Sequence, residues 1–385
     1  MNESQLFKLK DIKNFFTTLT KLSNKTVLIT GGTGYVGKCL LDCLLNANRI
    51  LNLNLKLILL TRDSLNFQNE FHLANNASEI DFHYVDFSEN NNLNDIKKKI
   101  SNIDYVIHAA TSSIKEKDID ILKSNPSLYF GSIVNGTKQI LEILKLKPNI
   151  KCLYISSGAV YRGINEKQIF SENDWTADLF IPMDTDVYTL GKRLSEKYFF
   201  DSLNNAEFDN FCIARCFTFI GPYLPLGIHL AGSTFFTNIV RKEPLIIHGD
   251  GSDIRSFMHS YDLAIWLIKV LIEGRPREAY NVGSGEAISI KDFAEKISCM
   301  VNDKFQNLSK EVEYSSRYPV IIKHEVTSPT ANKVYLPDTS KAKKELSLDL
   351  KFNLDEAISN TLCYYGLQPN GMNYYRINPF NLFYD

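Results

Sequence analysis

The stretch TVLITGGTGYVGKCLLDCLLN, residues 26–46, decides the fold. Five aliphatic and β-branched residues are followed at once by glycines at 31, 34 and 37, and then by an apolar run with helical spacing. Strand, tight turn and helix in that order let backbone N–H groups and a helix N-terminus meet a pyrophosphate. Glycines allow the turn and the close approach of backbone to phosphate. The reading is a dinucleotide site, with Gly31, Thr33, Gly34, Tyr35, Val36 and Gly37 around the phosphates. A glycine turn serving only packing is the bland alternative, and the flanking strand and helix weigh against it.

Working outward, six more short apolar runs alternate with amphipathic stretches: Lys56–Thr61, Asp81–Val85, Tyr105–His108, Cys152–Ile155, Phe211–Ala214 and Ala279–Val282. Such continuously apolar runs are expected in a parallel sheet covered on both faces. The predicted fold class is therefore α/β, a Rossmann-type doubly wound parallel sheet with a smaller mixed C-terminal substrate lobe. Residues 1–24, with Leu6, Ile12, Phe15, Phe16, Leu19 and Leu22, read as a helical extension packed on the body. Residues 25–222 read as the NAD(P)-binding domain, to which 260–285 return, and 223–259 with 286–385 read as the substrate-binding lobe.

The second run ends in Thr61-Arg62-Asp63, where a dinucleotide site chooses between a ribose hydroxyl and a 2′-phosphate. Arg62 could clasp a phosphate through its planar guanidinium, while Asp63 lies one place later than an NAD-selecting acid would ideally sit. NADP is favoured over NAD as the expected cofactor. Further on, Tyr188 and Lys192 stand four apart, so a helix projects both from one face. A nearby ammonium stabilises a phenolate, letting a tyrosine exchange protons with a carbinol. Ser157, ending the fifth run, could hold the same oxygen. An isolated YxxxK is weak evidence; the order glycine loop, strand-end serine, tyrosine, lysine gives it weight.

Composition narrows the partners. With 43 lysines and arginines against 44 aspartates and glutamates, no global field points to nucleic acid or an anionic membrane. The first residues lack a signal-peptide pattern, and no apolar run has the length to cross a bilayer. Seven scattered cysteines without zinc-ligand spacing predict reduced thiols, no metal site and a cytoplasmic address.

Taken together, GGTGYVG, Asp86-Phe87, HAAT at 108–111, SSGAVY at 156–161, YTLGK at 188–192, ARCFTFIGP at 214–222, HGDGSDIRSFMHSYDLA at 248–264 and NVGSG at 281–285 resemble the extended short-chain dehydrogenase/reductase superfamily, specifically its nucleotide-sugar epimerase/dehydratase family. The resemblance covers about residues 24–365. It implies that Ser157, Tyr188 and Lys192 are catalytic, and that Tyr188 and Lys192 also touch the cofactor. Asp86 and Phe87 would flank the adenine, and Ala109, Ala110 and Thr111 would line the pyrophosphate and ribose. Phe217 and Thr218 would face nicotinamide and sugar, Ser157 and Gly158 the sugar, and Arg255 the substrate diphosphate. His229 is the expected substrate contact among the histidines; His108 and His259 are expected to be structural, with Asp262 capping the helix after His259.

The implied activity is hydride transfer at the C4 carbinol or ketone of a nucleotide-diphosphate hexose, by epimerisation or 4-ketoreduction, in glycan-precursor synthesis. The implied assembly is a homodimer formed through helices around Leu128–Leu144 and Tyr188–Leu203. Departures from the family pattern are Thr218 and Ile133, where asparagines are frequent, and Gly158-Ala159, where resembling 4,6-dehydratases carry Asp-Glu. Glycine and alanine supply neither the acid nor the base that water elimination needs, so dehydration ranks below C4 chemistry, as does decarboxylation. From a different class, a dinucleotide-binding sensor or scaffold without catalysis is the remaining alternative; the intact serine, tyrosine and lysine argue against it.

Overall fold

The computed structural model describes residues 15–71, 73, 77–88, 93–111, 126–163, 168–175, 186–204, 208–227, 231–304, 318–323 and 333–367. All seven apolar runs form strands of one parallel sheet: β1 (Thr26–Thr30), β2 (Lys56–Thr61), β3 (Ile80–Tyr84), β4 (Tyr105–His108), β5 (Lys151–Ser157), β6 (Phe211–Cys216) and β7 (Glu278–Val282). Their order is β7-β6-β5-β4-β1-β2-β3. The chain winds outward from β1 to β3, then returns to lay β4 beside β1 and winds the other way. The reversal opens a crevice past the C-terminal ends of β1 and β4, where ligands of such sheets bind.

Burial explains which runs are continuous. Every residue of β6 is buried, as are all but the first of β1 and β2, because helices cover both faces. At the sheet edge, β3 buries fully only Ile80. It begins one residue earlier than the predicted Asp81–Val85, since the edge strand's weak burial blurs its ends.

The principal helices are α1 (Tyr35–Leu51), α2 (Pro126–Leu144), α3 (Val187–Asn204) and α4 (Ser260–Glu273). One face of the sheet carries a core with Leu40 and Leu44 of α1 and Trp266 and Leu267 of α4; the other carries Ile140 and Leu144 of α2 and Phe199 of α3. Gly191 lets α2 and α3 approach closely, since an added Cβ would lie 3.1 Å from Ile133 Cδ1. Ile133, one of the departures, is thus a helix-packing residue.

Of the N-terminal extension, residues 15–20 are helical, and Phe15, Leu19 and Leu22 are buried. Thr18 and Lys21 bind Glu273 at the end of α4; Leu6 and Ile12 lie outside the described residues. A further core, including Phe236, Phe257, Phe293 and Ile358, gathers the C-terminal elements. There Leu336–Pro337 pairs with Ile169–Phe170, and Ile254–Arg255 with Ile288–Ser289.

Candidate active site

The glycine loop sits in the crevice. Gly31 has φ +69°, and a Cβ there would stand 2.6 Å from the Ala109 carbonyl and 2.7 Å from Ala110 N. Only glycine lets β1 turn against the strand end of β4. Ala109 N donates to Thr30 O and Ala110 N to Thr30 Oγ1, which fixes Ala109 and Ala110 beside the loop. A Cβ at Gly37 would lie 2.4 Å from Gly31 O, so the helix also closes directly on the turn. Gly34 caps α1 without a side-chain acceptor, and the first turn carries no acid. This cradle suits an anion, because the helix N-terminus keeps N–H groups that no side chain claims. Thr33 and Val36 are half-buried at its edge. Tyr35 turns its ring onto Phe219, 5.0 Å between centroids, and offers the loop its backbone rather than its hydroxyl.

The expected catalytic group, Ser157, Tyr188 and Lys192, assembles from β5 and α3. Asp186 caps α3, accepting hydrogen bonds from Thr189 N (3.0 Å) and Thr189 Oγ1 (2.7 Å), and pairs with Arg162 at 2.6 Å. Tyr188 and Lys192 then project from one face. Burial raises the Tyr188 phenol, and a hydrogen bond with Ser157 draws it back. Ser157 Oγ also accepts from Ala159 N at 3.1 Å. Lys192 Nζ donates to Ile155 O at 2.7 Å and lies 5.9 Å from the Tyr188 ring centre. Burial lowers its ammonium to about 8. The Tyr129 ring stacks on Tyr188 at 6.3 Å.

On the other side, Gly158 faces the C-terminal lobe. An added Cβ would lie 2.3 Å from Tyr335 Oη and 2.9 Å from the Phe217 ring. Phe217 and Tyr335 stand 4.7 Å apart. The Arg255 guanidinium lies 5.8 Å from the Tyr335 ring centre, donates to the carbonyls of Ile254 and Lys333, and meets Asp253 at 3.0 Å. Thr218, half-buried, follows Phe217 and accepts from Met258 N. Sequence reasoning passed over Tyr335 and Tyr129, since neither carries a local signal and only the folded chain brings them to the catalytic group.

The family profile described as NAD dependent epimerase/dehydratase family matches residues 27–283, a span running from the glycine loop through Ser157, Tyr188 and Lys192 to β7. The chain belongs to the NAD dependent epimerase/dehydratase family. Among its relatives, a probable dTDP-glucose 4,6-dehydratase of Sinorhizobium fredii is 26% identical, covering 88% of this chain and 92% of the relative. A UDP-glucose 4-epimerase of Mycoplasma pneumoniae is 25% identical over 88% and 96%. The structure of epimerase Mth375 from Methanothermobacter thermautotrophicus superposes with a TM-score of 0.71 at 23% identity, over 91% of this chain and 95% of that one. A UDP-glucuronic acid 4-epimerase from Bacillus cereus in complex with NAD gives 0.67 at 22%, over 88% and 98%. These likenesses show the extended Rossmann-type fold.

Arg62 is exposed just past β2, and Asp63 caps the next helix by accepting from Asn66 N. Asp86 accepts from Ser88 N and Oγ; Phe87 is buried edge-on to His108. Thr111 is half-buried where the description of that loop ends, and His229 lies outside the described residues.

His108 is fully buried, 2.7 Å from Thr30 Oγ1 and 3.3 Å from Thr137 Oγ1, a structural linker between β1 and α2. His259 itself caps α4 by accepting from Tyr261 N. This corrects the expectation for Asp262, whose carboxylate instead accepts from Lys351 N and Phe352 N. Tyr364 packs edge-on against Tyr365 and against Tyr223. Among the described residues there is no acidic, histidine and cysteine cluster able to hold a metal, and no helix long and apolar enough to cross a membrane.

Proposed function

We propose that this chain catalyses hydride transfer at the C4 carbinol or ketone of a nucleotide-diphosphate hexose, as a 4-epimerase or 4-ketoreductase in glycan-precursor synthesis. The observation that carries the reading is the convergence of Ser157, Tyr188 and Lys192, with the Ser157 hydroxyl drawing the buried Tyr188 phenol down and Lys192 Nζ 5.9 Å from its ring centre, beside a Gly158 that offers no acid. The names of relatives, among them UDP-glucose 4-epimerase and UDP-glucuronic acid decarboxylase, support a nucleotide-sugar substrate.

A bound nicotinamide would supply or accept the hydride. Tyr188 takes the C4 hydroxyl proton when the carbinol is oxidised and returns it when the ketone is reduced. Ser157 holds the same oxygen, and the Lys192 charge favours the phenolate. Gly31, Thr33, Gly34, Tyr35, Val36 and Gly37 would hold the pyrophosphate with Ala109, Ala110 and Thr111; Asp86 and Phe87 would flank the adenine, and Phe217 would meet the nicotinamide. On the substrate, Gly158 and Thr218 would line the sugar, Arg255 would meet the diphosphate, and His229 is the proposed further substrate contact.

Arg62 supports NADP and with it reduction, whereas the NAD bound in similar solved structures supports NAD and epimerisation. Gly158 and Ala159 weigh against 4,6-dehydration, because neither can protonate a leaving hydroxyl. The proposed working form is a cytoplasmic homodimer through α2 and α3.

The deciding experiment mixes the protein with NADPH and a panel of nucleotide-linked 4-keto-6-deoxy sugars. Stoichiometric loss of NADPH with an alcohol product identifies the reductase. If no NADPH is consumed, a stereoisomer formed from the parent nucleotide sugars identifies the epimerase. Silence in both panels overturns the reading in favour of a non-catalytic binder.

A further inference from the structure

Directly beneath the catalytic group lies a closed polar network centred on two fully buried ions, Glu196 and Arg215. Glu196 follows Lys192 by one helical turn of α3. Its Oε1 accepts from Ser156 Oγ at 2.5 Å and from Arg215 Nε at 3.2 Å; its Oε2 accepts from Trp175 Nε1 at 3.0 Å and Arg215 Nη2 at 2.8 Å. Ser156 and Arg215 face each other across β5 and β6, and the next pair in register is Ser157 with Cys216. Alternation along the strands places 156 and 215 on the face opposite 157 and 216. The network therefore grips both strands one residue short of the site.

Its other arm reaches the wall that carries Tyr335. Arg215 Nη1 donates to Tyr161 Oη at 2.9 Å and to Glu172 O at 2.8 Å. Tyr161 Oη donates to Asn281 Oδ1, and Asn281 Nδ2 donates to Phe170 O and Asp338 O. Phe170 belongs to the pairing of Ile169–Phe170 with Leu336–Pro337 and Asp338 directly follows it, while Leu336 follows Tyr335. One continuous chain of hydrogen bonds thus joins the catalytic strand end to the lobe facing the substrate.

A buried ion pair is a poor source of net stability, because desolvation offsets most of its attraction. What a fully satisfied buried network does supply is a single geometry. We propose that Glu196 is a positioning residue: through Ser156 and Arg215 it sets Ser157 and Lys192 against the wall carrying Tyr335. The proposal rests on the reading of Ser157 and Lys192 as catalytic.

Two readouts test it. Ser156→Ala removes one neutral bond to Glu196 and leaves the ion pair intact. It should lower kcat about tenfold with KM held within about twofold, since misplacement of reacting groups costs rate before binding. Ser156→Thr, which restores the hydroxyl, should recover most of that loss. Independently of turnover, amide hydrogen exchange in Ser156→Ala should rise together in residues 153–161 and 169–175. An unchanged kcat, or no rescue by threonine, overturns the proposal in an active protein. If no nucleotide sugar is turned over by the unaltered protein, the functional reading fails by itself, and exchange decides the network: unaltered exchange in either segment sinks it, and a coupled rise upholds the mechanical link.

Discussion

Tyr335 Oη stands where a side chain at position 158 would begin. An added Cβ at Gly158 would be 2.3 Å from that oxygen, closer than any real carbon contact. The glycine is therefore a condition for seating the tyrosine beside the catalytic group. Gly158→Ala should destabilise the protein by about 1–3 kcal/mol through overpacking and lower kcat/KM at least tenfold, about the loss of one good contact at the transition state. In Gly158→Ala combined with Tyr335→Phe, the destabilisation should be smaller than the sum of the single losses, because the phenylalanine lacks the colliding oxygen. A double-mutant cycle by denaturant unfolding measures this; strict additivity would show that the two residues do not compete for the space.

Tyr188→Phe removes the proposed proton carrier while keeping the ring. Turnover should drop by at least about a hundredfold, with cofactor affinity, measured by titration of nicotinamide fluorescence, held within about threefold of the unaltered protein. Undiminished turnover would take the tyrosine out of the mechanism.

Lys192 gives a pH signature of defined sign. Its folded value, about 8, lies below the ordinary 10.5, so the cost of burying the ammonium is full below about pH 8 and fades as pH rises towards 10.5. Lys192→Met should therefore be inactive yet more stable at neutral pH, by about 1–3 kcal/mol, with the advantage shrinking as pH rises past 8. A stability gain that grew with pH would reverse the assignment.

His259 acts in the opposite window. Burial lowers it to about 3 from 6.5, so its contribution is complete above pH 6.5 and is lost as pH falls towards 3. His259→Asn keeps an oxygen acceptor for the α4 cap and removes the titrating ring. Its loss of stability on acidification should be shallower than that of the parent protein by up to about 1.4 kcal/mol per pH unit. Parallel acid-unfolding curves would refute this.

Arg62 can be tested by affinity alone. Arg62→Ala should weaken NADP binding about tenfold or more and leave NAD within about twofold. Equal changes for both cofactors would show that the guanidinium does not meet a 2′-phosphate.

How much was readable in advance follows from how local each signal is. The glycine loop and the Tyr188/Lys192 spacing are short-range features, and the chain folds there as its sequence dictates. Strand lengths were less legible: β5 and β6 run on through Ser156-Ser157 and Arg215-Cys216, where an apolar pattern stops although pairing continues. Ser156 and Arg215 are tolerated inside because Glu196 satisfies them. Asp262 looked like a cap from local rules, but the tertiary donors Lys351 N and Phe352 N claim its carboxylate and leave the cap to His259. Tyr335 had no sequence signature at all, since its place is set by a contact made across the whole fold.

The position of β7 also has a consequence for biosynthesis. This strand lies outside β6 in the sheet although about sixty residues separate the two in the chain. As the polypeptide leaves the ribosome, β6 emerges with its outer row of N–H and C=O groups unpaired, and it waits through the synthesis of the intervening lobe before Glu278–Val282 arrives to cover it. An exposed row of that kind is a template for pairing with other chains. A chain cut short between β6 and β7 would therefore carry the complete glycine loop and catalytic helix and still be prone to self-association.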